Sequence, residues 1–294
     1  MKILLVDVDS KIPNLALMKL SAWHKARGHT VGFNVTDPDM VFISVIYAAN
    51  KWRAYAVKQM FPKALVSIGG PAFPKVALND AIEHTKPDYD LYPSEYSMGF
   101  TTRGCIRKCS WCIVPIKEGP LQRWDHPLDF HDDQFDTIML LDNNWLADPE
   151  WFFETSNWII GHNLTVWEHG LDIRLVTPKI AQQLLSLNMK TGYHFAFDTD
   201  DIEPIVHKKL LLLEDEGFNI RHDVQVYVYV DNDAEFMSGL RRARLLKEWG
   251  TNAFVMFNIN APLTDRIKKL RRWANRKHLF WSHDPFISSG AGLE

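Results

Sequence analysis

All three cysteines of the chain, Cys105, Cys109 and Cys112, fall in one stretch, Gly104-Cys105-Ile106-Arg107-Lys108-Cys109-Ser110-Trp111-Cys112. The spacing is C-x3-C-x2-C. Three is an odd number and no cysteine elsewhere can pair with them, which argues against a disulfide framework. Thiolates gathered in one loop suit a soft metal or an iron–sulfur cluster. Three ligands leave one iron of a four-iron cluster without a protein donor, and an open position is what separates reactive metal sites from structural ones. The competing reading is a structural zinc ion completed by one of the twelve histidines. A zinc site with two knuckles would need a second Cys or His pair at similar spacing, and none follows closely.

With Trp111 before the third cysteine and Ile113-Val114-Pro115 after it, the stretch resembles the cluster-binding loop of the radical S-adenosylmethionine (radical SAM) superfamily. The resemblance implies a [4Fe-4S] cluster on Cys105, Cys109 and Cys112, its fourth iron chelated by the amino and carboxylate groups of S-adenosylmethionine (SAM). It also implies reductive cleavage of SAM to methionine and a 5′-deoxyadenosyl radical that abstracts hydrogen from a substrate. A reductant such as flavodoxin or ferredoxin is then the expected partner. The alternative is a non-catalytic protein with a structural zinc or iron–sulfur site. No cysteine is left for a second cluster, so methylthiolation and other auxiliary-cluster chemistry is not expected. Nothing in the sequence identifies the substrate.

The elements that must position this loop follow from composition and periodicity. At 294 residues, 46% hydrophobic and 23% charged, the chain is expected to form one large or two small soluble domains. A net charge of −3 gives no global basic field of the kind that draws nucleic acid. The apolar run Met1–Val6 meets Asp7 and Asp9 too soon for a signal-peptide core, and no run of about 18 apolar residues occurs later. A cytoplasmic, reducing location without a membrane partner is expected. The closing Ala291-Gly292-Leu293-Glu294 reads as a cloning remnant.

Residues 1–95 read as a small doubly wound, Rossmann-like α/β domain. Lys2–Val6, Asp39–Tyr47 and Ala64–Ile68 are apolar strands, with helices over Ala16–Arg27 and Trp52–Phe61 between them. Gly69-Gly70 reads as a turn. The arrangement resembles the cobalamin-binding domain of one radical SAM subgroup, shortened and without its histidine motif. Val8-Asp9-Ser10-Lys11 offers no imidazole after the first strand, and His24 and His29 fall in or just after a helix. Cobalamin held in the histidine-ligated way is therefore not expected, and the domain is expected to act as a lid or a substrate-docking surface. Residues 79–96, with Pro87 and Pro93, read as a linker.

Residues 96–290 resume the alternation. Strands are expected at Ser97–Thr102, Thr137–Leu141, Leu164–Trp167, Tyr193–Phe197, Val224–Val230 and Ala253–Asn258, with helices near 149–160, 178–188, 202–216, 234–248 and 263–275. Six βα units resemble the radical SAM core, a partial (β/α)6 TIM-like barrel open on one side. Barrels place their chemistry at the C-terminal ends of the strands, and the cysteine loop follows the first of them. After the second strand come Asp142, Asn143 and Asn144, where the resemblance places the acceptors of the SAM ammonium; the alternative is a cap for the next helix. After the third comes Glu168-His169-Gly170-Leu171-Asp172-Ile173-Arg174, resembling a family segment. There Arg174 suits a carboxylate and Asp172 ribose hydroxyls, unless the two pair with each other.

The fourth strand ends in Phe197-Asp198-Thr199-Asp200-Asp201. Part of this acidic cluster is expected to cap the next helix, with Asp198 placed to face substrate. On the fifth, either Gln225 or the tyrosines face inward. By the resemblance, Asn258 at the sixth strand end borders the adenine, and Trp111 lies beside the cofactors. Near the C terminus, Arg266–Trp273 and Arg276-Lys277-His278 read as an amphipathic helix with a solvated cationic face, and an anion or nucleic-acid surface is the minority alternative.

Overall fold

The computed structural model describes residues 1–258 and 263–286. Ile259, Asn260 and the tail Ala291–Glu294 lie outside the described residues. The chain divides into two compact units, one of Met1–Lys108 with Cys112–Asp142, the other of Cys109–Trp111 with the residues from Asn143 on. The first unit thus runs past the boundary at residue 95 that the sequence suggests.

The first unit opens with β1 (Lys2–Asp7), α1 (Leu15–Lys25), β2 (Thr30–Gly32), β3 (Met40–Ser44), α2 (Lys51–Met60) and β4 (Leu65–Gly69). These strands form a parallel sheet in the order β2-β1-β3-β4. Side chains alternate across a strand, so Ile3 and Leu5 meet Leu17 and Leu20 of α1, while Leu4, Val41 and Ile43 meet Ala54 of α2. Helices therefore cover both faces. The loops at the C-terminal edge are tied by polar side chains. Asp9 accepts from the Ile46 and Tyr47 N–H groups at 2.7 and 3.1 Å and from the Asn50 amide at 2.7 Å. Asn14 caps α1 and donates to the Ser44 hydroxyl at 2.8 Å. Gly70 (φ 93°) lies so close to Val45 that a Cβ would meet its carbonyl oxygen at 2.6 Å, which explains the Gly-Gly turn.

The rest of this unit holds α3 (Asp80–Glu83), β5 (Ser97–Gly99), β6 (Thr102–Arg103), α4 (Val114–Lys117), β7 (Gln122–Arg123), α5 (Pro127–Phe130) and β8 (Thr137–Leu140). The segment expected as a linker is fastened here. Tyr89, 7% exposed, bonds the Phe130 carbonyl at 2.7 Å and accepts from the Met98 N–H at 3.0 Å. Those bonds are a physical reason for the shifted boundary. β5 and β8 pair in parallel, Met98 opposite Met139.

The second unit holds α6 (Pro149–Gly161), β9 (Thr165–Trp167), α7 (Pro178–Leu185), β10 (Asn188–Met189), β11 (Tyr193–Ala196), α8 (Glu203–Asp215), α9 (Ile220–Asp223), β12 (Val224–Val230), α10 (Phe236–Glu248), β13 (Asn252–Phe257), α11 (Asp265–Ala274) and α12 (Lys277–Ser282). Its strand ladders are parallel: β9 with β10, and β11, β12 and β13 in that order. The fold is thus α/β with parallel sheets, the expected strands being shared among separate ladders. On β12 the four valines are buried, while Gln225, Tyr227 and Tyr229 share the other, half-buried face. The outer edge of β13 is met by Asn275, whose amide accepts from the Val255 N–H at 2.7 Å and donates to the Val255 carbonyl at 3.1 Å. Among the described residues, no helix is long and apolar enough to cross a membrane.

Candidate functional site

The cysteine loop leaves β6 and returns through α4 to β7, the two strands pairing antiparallel at its neck, Thr102 opposite Arg123. Gly104 begins it at φ 73°, and a Cβ there would lie 2.1 Å from the Pro120 carbonyl oxygen. Only glycine fits that approach. Glu118 locks the foot, accepting from the Gly104 N–H at 3.0 Å and pairing with Arg103 Nε at 3.2 Å. None of the three cysteines is in a disulfide, and all are half-buried. Two sulfurs accept bonds from nearby backbone, Cys105 Sγ from the Arg107 N–H at 3.3 Å and Cys112 Sγ from the Val114 N–H at 3.5 Å.

Asp142 follows β8 but is turned inward. Its carboxylate accepts from the Thr101 and Thr102 N–H groups at 2.9 and 2.6 Å and from both hydroxyls at 2.6 Å. Burial pushes its carboxyl pKa up against those four donors. The side chain fastens the end of β8 to the chain between β5 and β6. Asn143 is half-buried and Asn144 buried. The cap of α6 is Asp148, which accepts from the Trp151 N–H at 3.1 Å.

In the second unit, Trp111, Asp198 and Asn258 converge on Tyr229 and Asp231. Trp111 is stacked on Tyr229, ring centroids 5.6 Å apart and planes 19° apart. The Tyr229 hydroxyl donates to Asp231 Oδ1 at 2.9 Å, and the Asn258 amide donates to the same oxygen at 2.9 Å. The Tyr229 N–H donates to Asp198 Oδ1 at 3.2 Å. Asp198 is half-buried, and burial pushes its carboxyl up although the Tyr229 N–H and the charges of Arg242 and Arg174 oppose the shift. Arg174 forks onto Asp172 at 2.6 and 3.0 Å. Burial works against the Arg174 charge, yet the Asp172 bond and the nearby Asp172, Cys109 and Asp198 charges hold its pKa above the ordinary value. The structural pairing of Asp172 with Arg174 is therefore the one present. Asp200 does not cap α8. It bonds Ser238 at 2.8 Å and lies 3.3 Å from Arg242 Nε, because a buried guanidinium on α10 needs a counter-charge.

Sequence reasoning passed over a second constellation. Glu168, 4% exposed, accepts from the His194 N–H at 3.1 Å and lies 2.9 Å from its Nδ1. The His194 ring stacks on Tyr227 at 5.4 Å and 11°. Burial, aided by the Glu168 charge, pushes the Tyr227 hydroxyl up to about 12. These residues line a cavity of about 340 Å³ together with His169, His222 and Lys277. A carboxylate bonded to Nδ1 leaves Nε2 as the nitrogen able to exchange a proton. The usable signal was a glutamate directly after an apolar strand.

On α11, Ile267, Leu270, Trp273 and Ala274 are buried. Several of its cations are engaged, Arg266 with Asp233, Lys268 with Asp265 at 3.0 Å and Lys269 with the Pro285 carbonyl at 3.1 Å. The amphipathic reading accounts for this helix.

The cysteine loop supplies donors of the kind an iron–sulfur cluster uses. Among the described residues, no three His, Cys, Asp or Glu side chains are gathered closely enough to hold a metal ion. No model of a known protein family matches the chain, and no curated protein matches it.

Proposed function

We propose that this chain is a radical SAM enzyme, with Cys105, Cys109 and Cys112 holding a [4Fe-4S] cluster that leaves one iron for SAM. The observation that carries the reading is the loop itself: every cysteine of the chain lies on it, and Gly104 and Glu118 lock its foot. N–H groups turned onto cysteine sulfurs are what tune an iron–sulfur centre, and this loop already turns two. Metal binding is coupled to the ordering of its ligands, so loading iron would have to draw the three sulfurs together. When bound, the cluster and SAM supply reductive cleavage to a 5′-deoxyadenosyl radical. A low-potential donor such as flavodoxin or ferredoxin is the matching partner.

The chain's own residues then bind and orient. With Asp142 engaged by its threonines, the amide oxygens of Asn143 and Asn144 fall to the SAM ammonium. Arg174 holds Asp172 in one orientation, leaving the fork to steer a ribose acceptor rather than act alone on a carboxylate. Trp111 and Asn258 flank the adenosyl group through Tyr229 and Asp231, and Asp198 faces the substrate. The fold that goes with this reading is a partial (β/α)6 barrel of β5, β8, β9, β11, β12 and β13 after a doubly wound domain. Histidine-ligated cobalamin has no part in it.

Anaerobic reconstitution with iron and sulfide tests the reading. About four irons per chain, a brown chromophore and dithionite-dependent SAM cleavage are expected. A single tightly held zinc with no SAM cleavage would replace it with a structural site.

A further inference from the structure

A crevice of about 640 Å³ opens in the first unit at the C-terminal edge of its four-stranded sheet. The loops after β1, β3 and β4 form one wall, through Ser10, Ile46 and Gly70. Strand order turns back between β1 and β3, and open α/β sheets bind ligands at such a point. The volume is that of a pocket for a small organic molecule. Much of the lining is apolar, including Leu17 and Leu20 of α1, Phe42, Leu78, Met98 and Phe100.

The charged side chains of the lining are unequally served. Glu118 holds the Gly104 N–H and Arg103. Glu83 lies between Lys19 at 4.0 Å and Arg103 at 3.9 Å, and Lys19 also faces Asp125 at 3.5 Å. Both acids of the lining are thus already engaged by Arg103 or Lys19. Lys117, half-buried in the same lining, has no hydrogen bond or ion pair among the described residues, and neither has the exposed Lys11. Burial and the Arg103 charge hold the Lys117 ammonium below its ordinary pKa despite Glu118 and Glu83. Its ammonium therefore has the field of two carboxylates nearby but no direct hydrogen bond to either among the described residues.

We infer that this crevice binds a small molecule with an apolar body and one anionic end, seated on Lys117. The apolar walls desolvate the body, and the ammonium gains the charged hydrogen bond that the protein does not give it. The site does not depend on the cysteine chemistry, although Glu118 belongs to both its lining and the foot of the cysteine loop.

Two dyes test the inference on the full chain without added iron, so failure leaves the reading of the cysteine loop untouched. Anilinonaphthalene sulfonate has an apolar body and one anionic group; phenylnaphthylamine is the same body without charge. Saturable fluorescence at about one equivalent of the sulfonate is expected, with an affinity about tenfold above that of the neutral amine. Lys117→Gln should erase that advantage, and Ala16→Phe, which fills the crevice from α1, should abolish binding of both dyes. Equal affinity of the two dyes, an advantage that survives Lys117→Gln, or no saturable binding would each overturn the inference. Should Ala16→Phe fail to fold by circular dichroism, the two-dye comparison in Lys117→Gln decides alone. Dye held instead by the exposed Trp52 and Met60 of α2 would ignore Ala16→Phe in a folded variant and count against it.

Discussion

Two aspartates in this chain carry opposite pH signatures. Asp198 has its carboxyl pushed above the unfolded value by burial, so the folded state binds its proton more tightly and stability falls as pH rises through that window. Asp198→Asn keeps an acceptor for the Tyr229 N–H and drops the charge. Its melting temperature at neutral pH should exceed the parent's by about 2–4 °C, and the two should converge toward about pH 4. Asp9 is the reverse case. Burial alone would raise it, but the Ile46, Asn50 and Tyr47 hydrogen bonds and the Arg53 charge hold it below the ordinary value. Its contribution is present above the unfolded pKa and is lost as pH falls through the folded one. Asp9→Asn should cost about 1–2 kcal/mol at neutral pH and progressively less in acid, read by urea melts across pH. Melting curves shifted equally at every pH would contradict both assignments. At this scale the residue types able to do chemistry could be picked out of the sequence, and their hydrogen-bond partners could not. Asp172 and Arg174 stood out by type and place, but spacing alone left ligand and ion pair equally open. Tyr229 was hidden because alternation along Val224–Val230 does not say which face meets the site.

Among the elements, the cysteine loop begins at a position where the backbone dictates the residue. At φ 73°, with Pro120 O 2.1 Å from any Cβ, Gly104 tolerates no side chain. Gly104→Ala should leave the parallel sheets folded while releasing the Glu118 clamp. Hydrogen exchange of the peptide spanning Gly104 to Cys112 should accelerate by about tenfold or more, a loss of at least about 1.4 kcal/mol of local stability. Unchanged protection would mean that the loop is held by other bonds. The long elements could be read from the sequence because β-branched runs and helical periodicity extend over enough residues to repeat. β2, β10, α3, α5 and α9 were missed for the opposite reason, since two to four residues carry no period. The sharing of strands among ladders was also out of reach, because a period of two marks a buried strand without naming its neighbour.

For the molecule as a whole, the proposed cluster ties stability to iron. A ligand that binds only the folded chain stabilises it by mass action, about 2.7 kcal/mol at a hundredfold excess over its dissociation constant. Anaerobic loading should raise the melting temperature, and an iron chelator should return it to the apo value. A Cys105→Ser/Cys109→Ser/Cys112→Ser variant should show neither change; a matching rise in that variant would place the iron elsewhere. The other whole-molecule property lies at the far edge of the β11–β13 sheet. An exposed strand edge invites another chain to add itself, and proteins that fail to block such edges tend to clump. Asn275 answers the Val255 N–H and carbonyl with one amide, as the backbone of an adjoining strand would. In that sense the side chain is a one-residue counterfeit strand, seated on Val255 within that edge. Asn275→Leu removes the counterfeit and keeps the bulk, so light scattering of concentrated samples should rise with time while the parent stays clear.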